Sequence, residues 1–158
     1  MNLNFNIEQF LNLDNYVTDE RSGRRKGSKS TQEFFTPYSI IKKMCDKVPE
    51  SEWSNPKKTF LEPSFGNGQF LIYIVYNRIK HNIDWKTTLN TLYGVELMED
   101  NVIEAKERII NLLKEISPEF DESAARQIMD KNLVCSDFFK WDFDNWKPIQ
   151  EYKSTELF

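Results

Sequence analysis

The chain has 158 residues, a net charge of −4, and 12 Phe, 6 Tyr and 4 Trp. That length suffices for one domain with a real core, and no apolar run approaches the roughly 20 residues of a membrane span. The charge excludes a chain that grips nucleic acid over its whole surface. A single histidine and two distant cysteines, Cys45 and Cys135, exclude a zinc site of usual spacing. The cysteines read as free thiols, buried or half-buried. The opening MNLNFNIEQF lacks a basic stretch followed by an apolar core, so a cytoplasmic protein is expected.

In chain order, residues 5–13 form a short amphipathic helix, with Phe5, Ile7, Phe10, Leu11 and Leu13 roughly on one face. RSGRRKGSK, residues 21–29, carries five basic residues and no acid, with the Gly and Ser of a flexible linker. It reads as a solvated connection rather than an arm for phosphates. Thr36 is placed to cap a helix whose first position is Pro37, with Ile40, Ile41, Met44 and Val48 as its apolar face. Pro49 and Pro56 bracket a loop around Trp53. Thr59–Glu62 is a short strand, residues 67–81 a helix, and residues 84–90 a further helical turn. Residues 91–97 form a second strand. The helix at 98–116 has Val102, Ala105, Ile109, Leu112, Leu113 and Ile116 facing inward, Glu104 and Arg108 as an i,i+4 pair, and Pro118 as its stop. A short helix covers DESAARQIMD, and a third strand runs through NLVCSDFF to Asp137 and Phe138. The last residues are aromatic and charged without period. Their rings, from Phe138 to Trp146, read as core or interface filling before base stacking.

This order is a β-α-β-α-β unit, an α/β arrangement with parallel strands. Ligands bind such sheets outside the carboxyl ends of the strands. Each end carries an acid: Glu62, Glu96 and Asp137. After the first strand, Gly66 and Gly68 let backbone approach a ligand, and the following helix offers free N–H groups to an anion. Glu62 suits a cation on the same molecule, and Glu96 suits paired ribose hydroxyls. Asp137 suits an exocyclic amine. An amino acid, a ribose and an adenine together make S-adenosylmethionine. A dinucleotide fits less well. Position 71 is Leu rather than a third glycine, and Glu96 follows Gly68 by 28 residues, against about 20 in the dinucleotide fingerprint. A tight turn beside solvent-facing acids is the bland alternative.

Four segments, TQEFFTPYSIIKKM, FLEPSFGNGQFL, LYGVELMEDNVIEAKERI and NLVCSDFFKWDF, resemble in order the first blocks of adenine-N6 DNA methyltransferases. The order is like that of type I modification subunits and related type II enzymes, and the likeness spans residues 31–144. The resemblance implies a partial Rossmann-like class I methyltransferase fold in three layers. It implies that Gln32, Phe35, Thr36 and Pro37 close over the methionine end of the cofactor. Glu62, Pro63, Ser64, Gly66 and Gly68 would hold its amino and carboxylate groups. Glu96 would hold the ribose, Leu97 and Met98 would flank the adenine, and Asp137 with Phe138 would meet the adenine amine. The expected organisation is an N-terminal helix and basic linker over 1–30 and a cofactor-binding domain over 31–158, truncated before a fourth strand.

One block of the family pattern has no counterpart. The family's Asn/Asp/Ser-Pro-Pro-aromatic tetrapeptide accepts hydrogen bonds from the target amine, with its aromatic stacked on the flipped base. The chain contains no Pro-Pro, and NPKK at 55–58 and SPEF at 117–120 are out of place. No catalytic residue is therefore assigned, and DNA is expected only as a weak or partner-borne ligand. Strand one would lie at an exposed edge, so a cover is expected from the tail, a second copy or a partner chain. Three functions follow: the cofactor half of a DNA adenine methyltransferase, a non-catalytic S-adenosylmethionine binder, or a methyltransferase for another substrate.

Overall fold

A computed structural model of the chain describes residues 5–13 and 36–150. Helix α1 covers Ile7–Leu13, α2 Tyr38–Cys45 and α3 Glu50–Trp53. Strand β1 is Phe60–Glu62, followed by α4 at Gln69–Lys80 and α5 at Trp85–Asn90. Then come β2 at Leu92–Glu96, α6 at Glu99–Ile116, α7 at Glu122–Asn132 and β3 at Leu133–Cys135. A 3-10 turn at Phe138–Lys140 leads into a small hairpin of β4, Trp141–Asp142, and β5, Lys147–Pro148. The architecture is α/β: a three-stranded parallel sheet in the order β1-β2-β3, flanked by helices.

Parallel neighbours require crossovers, and α4–α5 and α6–α7 supply them. The register pairs Glu62 with Gly94, Gly94 with Leu133, and Glu96 with Cys135. Leu92, Gly94 and Leu133 thus share the helix-covered face, where Phe65 occupies the space a side chain at Gly94 would need. Helix α4 is buried on most sides, at Leu71, Ile72, Tyr73, Ile74 and Val75. On α6, Val102, Ala105, Ile109, Leu112, Leu113 and Ile116 are buried, as the periodicity predicts. Each full burial of such an aliphatic side chain stabilises the fold by about 1.5–3 kcal/mol.

The opposite face carries Leu61, Tyr93, Val95 and Val134, and Leu61 remains 48% exposed. The hairpin lays aromatic rings here, with Trp146 edge-on to Tyr93 at 4.8 Å. Its strands pair with each other, not with β1. Among the described residues β1 has β2 as its neighbour, with Phe60 N–H donating to Thr91 O at 2.9 Å. Alternation turns the Leu61 N–H and C=O towards the free edge. Beside that edge lies a cavity of about 320 Å³ with walls from Thr59, Leu61, Tyr93, Phe143 and Trp146. The exposed edge expected from the sequence is present among the described residues. The tail from 151 onward lies outside them.

Several local expectations change. Helix α2 starts one residue later than expected: Pro37, in extended conformation, is its cap in place of Thr36, with no side-chain cap bond. Pro37 O accepts from Ile40 and Ile41 N–H, closing the first turn without a hydroxyl. The buried face is Ile41 and Cys45, while Ile40 and Met44 face outward because α4 packs on the other side of the helix. Trp53 is not in a loop but ends α3, buried and stacked on Phe60 at 5.0 Å. Strand β3 stops at Cys135, two residues before Asp137, which instead caps the 3-10 turn. Cys45 is buried, as expected, but Cys135 is exposed at the outer edge of the sheet. The basic linker and Leu13's side chain lie outside what is described. No helix among the described residues is long and apolar enough to cross a membrane.

Candidate functional site

The loop after β1 is shaped by two glycines with positive φ, Gly66 at 53° and Gly68 at 89°. Gly68 is both bent and crowded: a Cβ there would lie 2.8 Å from Ala105 Cβ on α6. Only glycine lets the loop sit this close to α6 while turning into α4. Gly68 N–H donates to Phe65 O, and Ile72 N–H returns to Gly68 O, each at 2.8 Å. The first N–H groups of α4 have no intrahelical acceptor and face the loop end of the helix. Pro63 and Ser64 are exposed at its start, and Ser64 N–H donates to Glu62 Oε1 at 3.3 Å.

The three acids step along the carboxyl edge. Glu62 ends β1, half-buried, and burial holds its carboxyl above the usual carboxylate range against the opposing Ser64 bond. The charge of Glu62 also reaches Cys45 on α2, whose thiol is pushed up to about 11 by burial and then by Asp46 and Glu62. Glu96 ends β2 and is nearly buried. Its Oε2 accepts from Gly66 N–H at 2.8 Å, and Oε1 accepts from Met98 N–H at 3.0 Å and Asn101 Nδ2 at 3.5 Å. This carboxylate therefore ties the glycine loop to the end of β2. It keeps capacity for further donors, since an ionised carboxylate has about four acceptor directions. Asp137 Oδ1 accepts from Phe139 N–H at 2.9 Å, which fixes its side chain at the end of β3. Leu97 and Phe138 are exposed beside these acids, and Met98 is half-buried.

Thr36 and Pro37 enter the site through the backbone. Thr36 O accepts from Gln69 Nε2 at 3.2 Å, which brings the start of α2 to the start of α4. Gln32 and Phe35 lie outside the described residues. Asn67, Gln69 and Arg108 complete the loop. Arg108 is buried: its Nη1 donates to Asn67 O at 2.9 Å and its Nη2 to Gln69 Oε1 at 2.6 Å. Asn67 Nδ2 donates to Glu104 Oε1 at 3.3 Å. The buried Asn67 Oδ1 has no hydrogen-bond partner among the described residues. A signal for Arg108 existed in its place on the helix, one turn after Ala105 on the inward stripe.

The arrangement offers an acceptor for a cation at Glu62, helix N–H groups for an anion, an acceptor for hydroxyls at Glu96 and one for an amine at Asp137. Apolar side chains stand beside the last two. Two cavities lie elsewhere, one at β1 and one of about 430 Å³ between α1, α2, α3 and α4 that includes Tyr38, Cys45, Tyr73 and His81. Neither includes Glu96 or Asp137. No group of three or more His, Cys, Asp and Glu among the described residues could hold a metal ion. The chain matches no protein-family model, no curated protein and no solved structure.

Proposed function

We propose that this chain binds S-adenosylmethionine and forms the cofactor-binding portion of a site-specific DNA adenine-N6 methyltransferase. One observation carries the reading: Glu62 and Glu96 end the adjacent parallel strands β1 and β2, and Asp137 follows the end of β3 by two residues, beside a glycine loop that opens a helix. The acids are in the order that a ligand with an ammonium, a ribose and an exocyclic amine requires. Two features of the loop support the fit. Burial disfavours the charged form of Glu62, and a bound ammonium would relieve that. Asn67 Oδ1 is a buried acceptor without a donor among the described residues.

In this reading the loop and α4 hold the amino and carboxylate groups, Glu96 takes the ribose hydroxyls, and Asp137 accepts from the adenine amine between Leu97, Met98 and Phe138. S-adenosylmethionine itself supplies the activated methyl group. No residue of the chain is assigned to polarising a target amine, because no Pro-Pro-aromatic block is present. That absence favours a second reading, a non-catalytic S-adenosylmethionine-binding or regulatory protein. A partial Rossmann-like class I fold, a cytoplasmic setting and a partner or second copy at the β1 edge belong to the same proposal.

Calorimetry with S-adenosylmethionine and with NAD⁺ tests it. One site for S-adenosylmethionine and no heat with NAD⁺ is the expected result; the reverse preference would sink the cofactor reading. Transfer of a labelled methyl group to adenine-containing DNA then separates enzyme from binder. The chain alone is expected to give none, and clear turnover would overturn the missing-block argument.

A further inference from the structure

We infer that Gln69 and Arg108 are positioning residues for the cofactor's methionine end: they tie the Thr36–Pro37 segment to the glycine loop through one buried cation. The inference rests on the S-adenosylmethionine reading above. Arg108 is 4% exposed, and so is Gln69. The guanidinium fork of Arg108 meets two acceptors of the loop region, Asn67 O at 2.9 Å and Gln69 Oε1 at 2.6 Å. A guanidinium has donors only, so the Gln69 oxygen must face it. The Gln69 amide NH₂ is thereby turned towards Thr36 O, 3.2 Å away. The chain of bonds has one direction and cannot flip.

Its two ends are the two segments that flank the proposed methionine site. One is the glycine loop, whose Gly68 already abuts Ala105, one turn before Arg108 on α6. The other is the entry to α2, where Pro37 O receives Ile40 and Ile41 N–H at 3.0 and 3.1 Å. A buried ion adds little net stability compared with apolar packing; its best-attested use is to fix one register or arrangement. Here the arrangement specified is the separation between the Thr36 segment and the loop. The adenosine end, at Glu96 and Asp137, lies outside this chain of bonds.

Gln69→Glu isolates the tie. The carboxylate keeps the bond to Arg108 and strengthens it, but has no donor for Thr36 O. The thermal midpoint should stay within about 2 °C of wild type. Affinity for S-adenosylmethionine should fall about tenfold, while affinity for adenosine stays within about twofold. Amide exchange at Ile40 and Ile41, measured without ligand, should quicken by about tenfold. Arg108→Lys, a point-like ammonium that cannot bridge both acceptors, should give the same split. Equal loss for both ligands, or unchanged exchange at Ile40 and Ile41, would overturn the inference. So would loss of cooperative unfolding in both variants, which would mark the network as a folding requirement. If wild-type protein binds no S-adenosylmethionine, the cofactor reading fails; the exchange measurement still decides whether Gln69 holds the Thr36 segment.

Discussion

Replacing Glu96 by Gln tests whether one carboxylate holds the glycine loop. The side chain is 7% exposed, and its two oxygens accept from Gly66 N–H at 2.8 Å and Met98 N–H at 3.0 Å. Gln has the same shape but one oxygen. Whichever backbone N–H meets the new NH₂ loses its acceptor and faces a donor. A bond to a charged acceptor contributes about 1.5–3 kcal/mol, and an orphaned buried donor carries a penalty of similar size. Relaxation of the loop offsets part of this, so the expected loss is about 2–3 kcal/mol. For a chain of this length about 2–4 °C accompanies each kcal/mol, which puts the drop in midpoint near 4–12 °C. Urea titration should show a lower midpoint concentration with an unchanged slope. The Gly66 amide should exchange faster than in wild type. Stability within about 0.5 kcal/mol of wild type would mean that the loop is held by its own turns and by α6, and the role given to Glu96 would be wrong.

The remaining predictions concern the loop and its supports. Gly68→Ala forces a side chain into a left-handed residue and to within 2.8 Å of Ala105 Cβ; a loss of about 2–4 kcal/mol is expected in urea denaturation. Arg78→Met keeps volume but orphans Trp53 O and Asn55 O, which Arg78 now meets at 2.9 and 2.6 Å while its guanidinium lies 5.3 Å from the Phe60 ring. It should cost about 2–4 kcal/mol, and an unchanged midpoint would show those carbonyls to be satisfied otherwise. Glu62→Gln should act in the opposite sense. Burial raises the folded-state pKa of Glu62 above that of the unfolded chain, so the charged form lowers stability above the folded value, and this effect vanishes below the unfolded value. The variant should therefore melt higher than wild type at neutral pH and lose that advantage on acidification, while binding S-adenosylmethionine more weakly. A lower midpoint at neutral pH would refute the burial argument.

The parts of this molecule that were legible in its sequence are those that depend on side-chain pattern. Three apolar segments separated by helices gave a parallel sheet in chain order, and an acid followed each strand. What the side-chain pattern does not carry is where backbone polar groups go. The sequence singles out nothing at Arg78, and at Arg108 only an i,i+4 pair with Glu104. In the fold both arginines are buried, because α4 and α6 run past bent segments whose carbonyls have no partner in secondary structure. The hairpin escaped notice for a related reason. Its strands have two residues each, too few for alternation, and its turn is set by Asp142 Oδ1 accepting from Asp144 and Asn145 N–H at 3.1 and 3.0 Å. A glycine loop makes the general case. Glycines let backbone bend and approach a ligand, but they bring no side chains to satisfy the carbonyls so exposed. Something on a neighbouring element must supply donors, and a buried arginine supplies several at once in a fixed plane. In this chain the stretch from Phe65 to Gln69 therefore predicts its own support: a cation on the inward stripe of the next long helix, near the small residue that lets the loop come close. Ala105 and Arg108 meet that description.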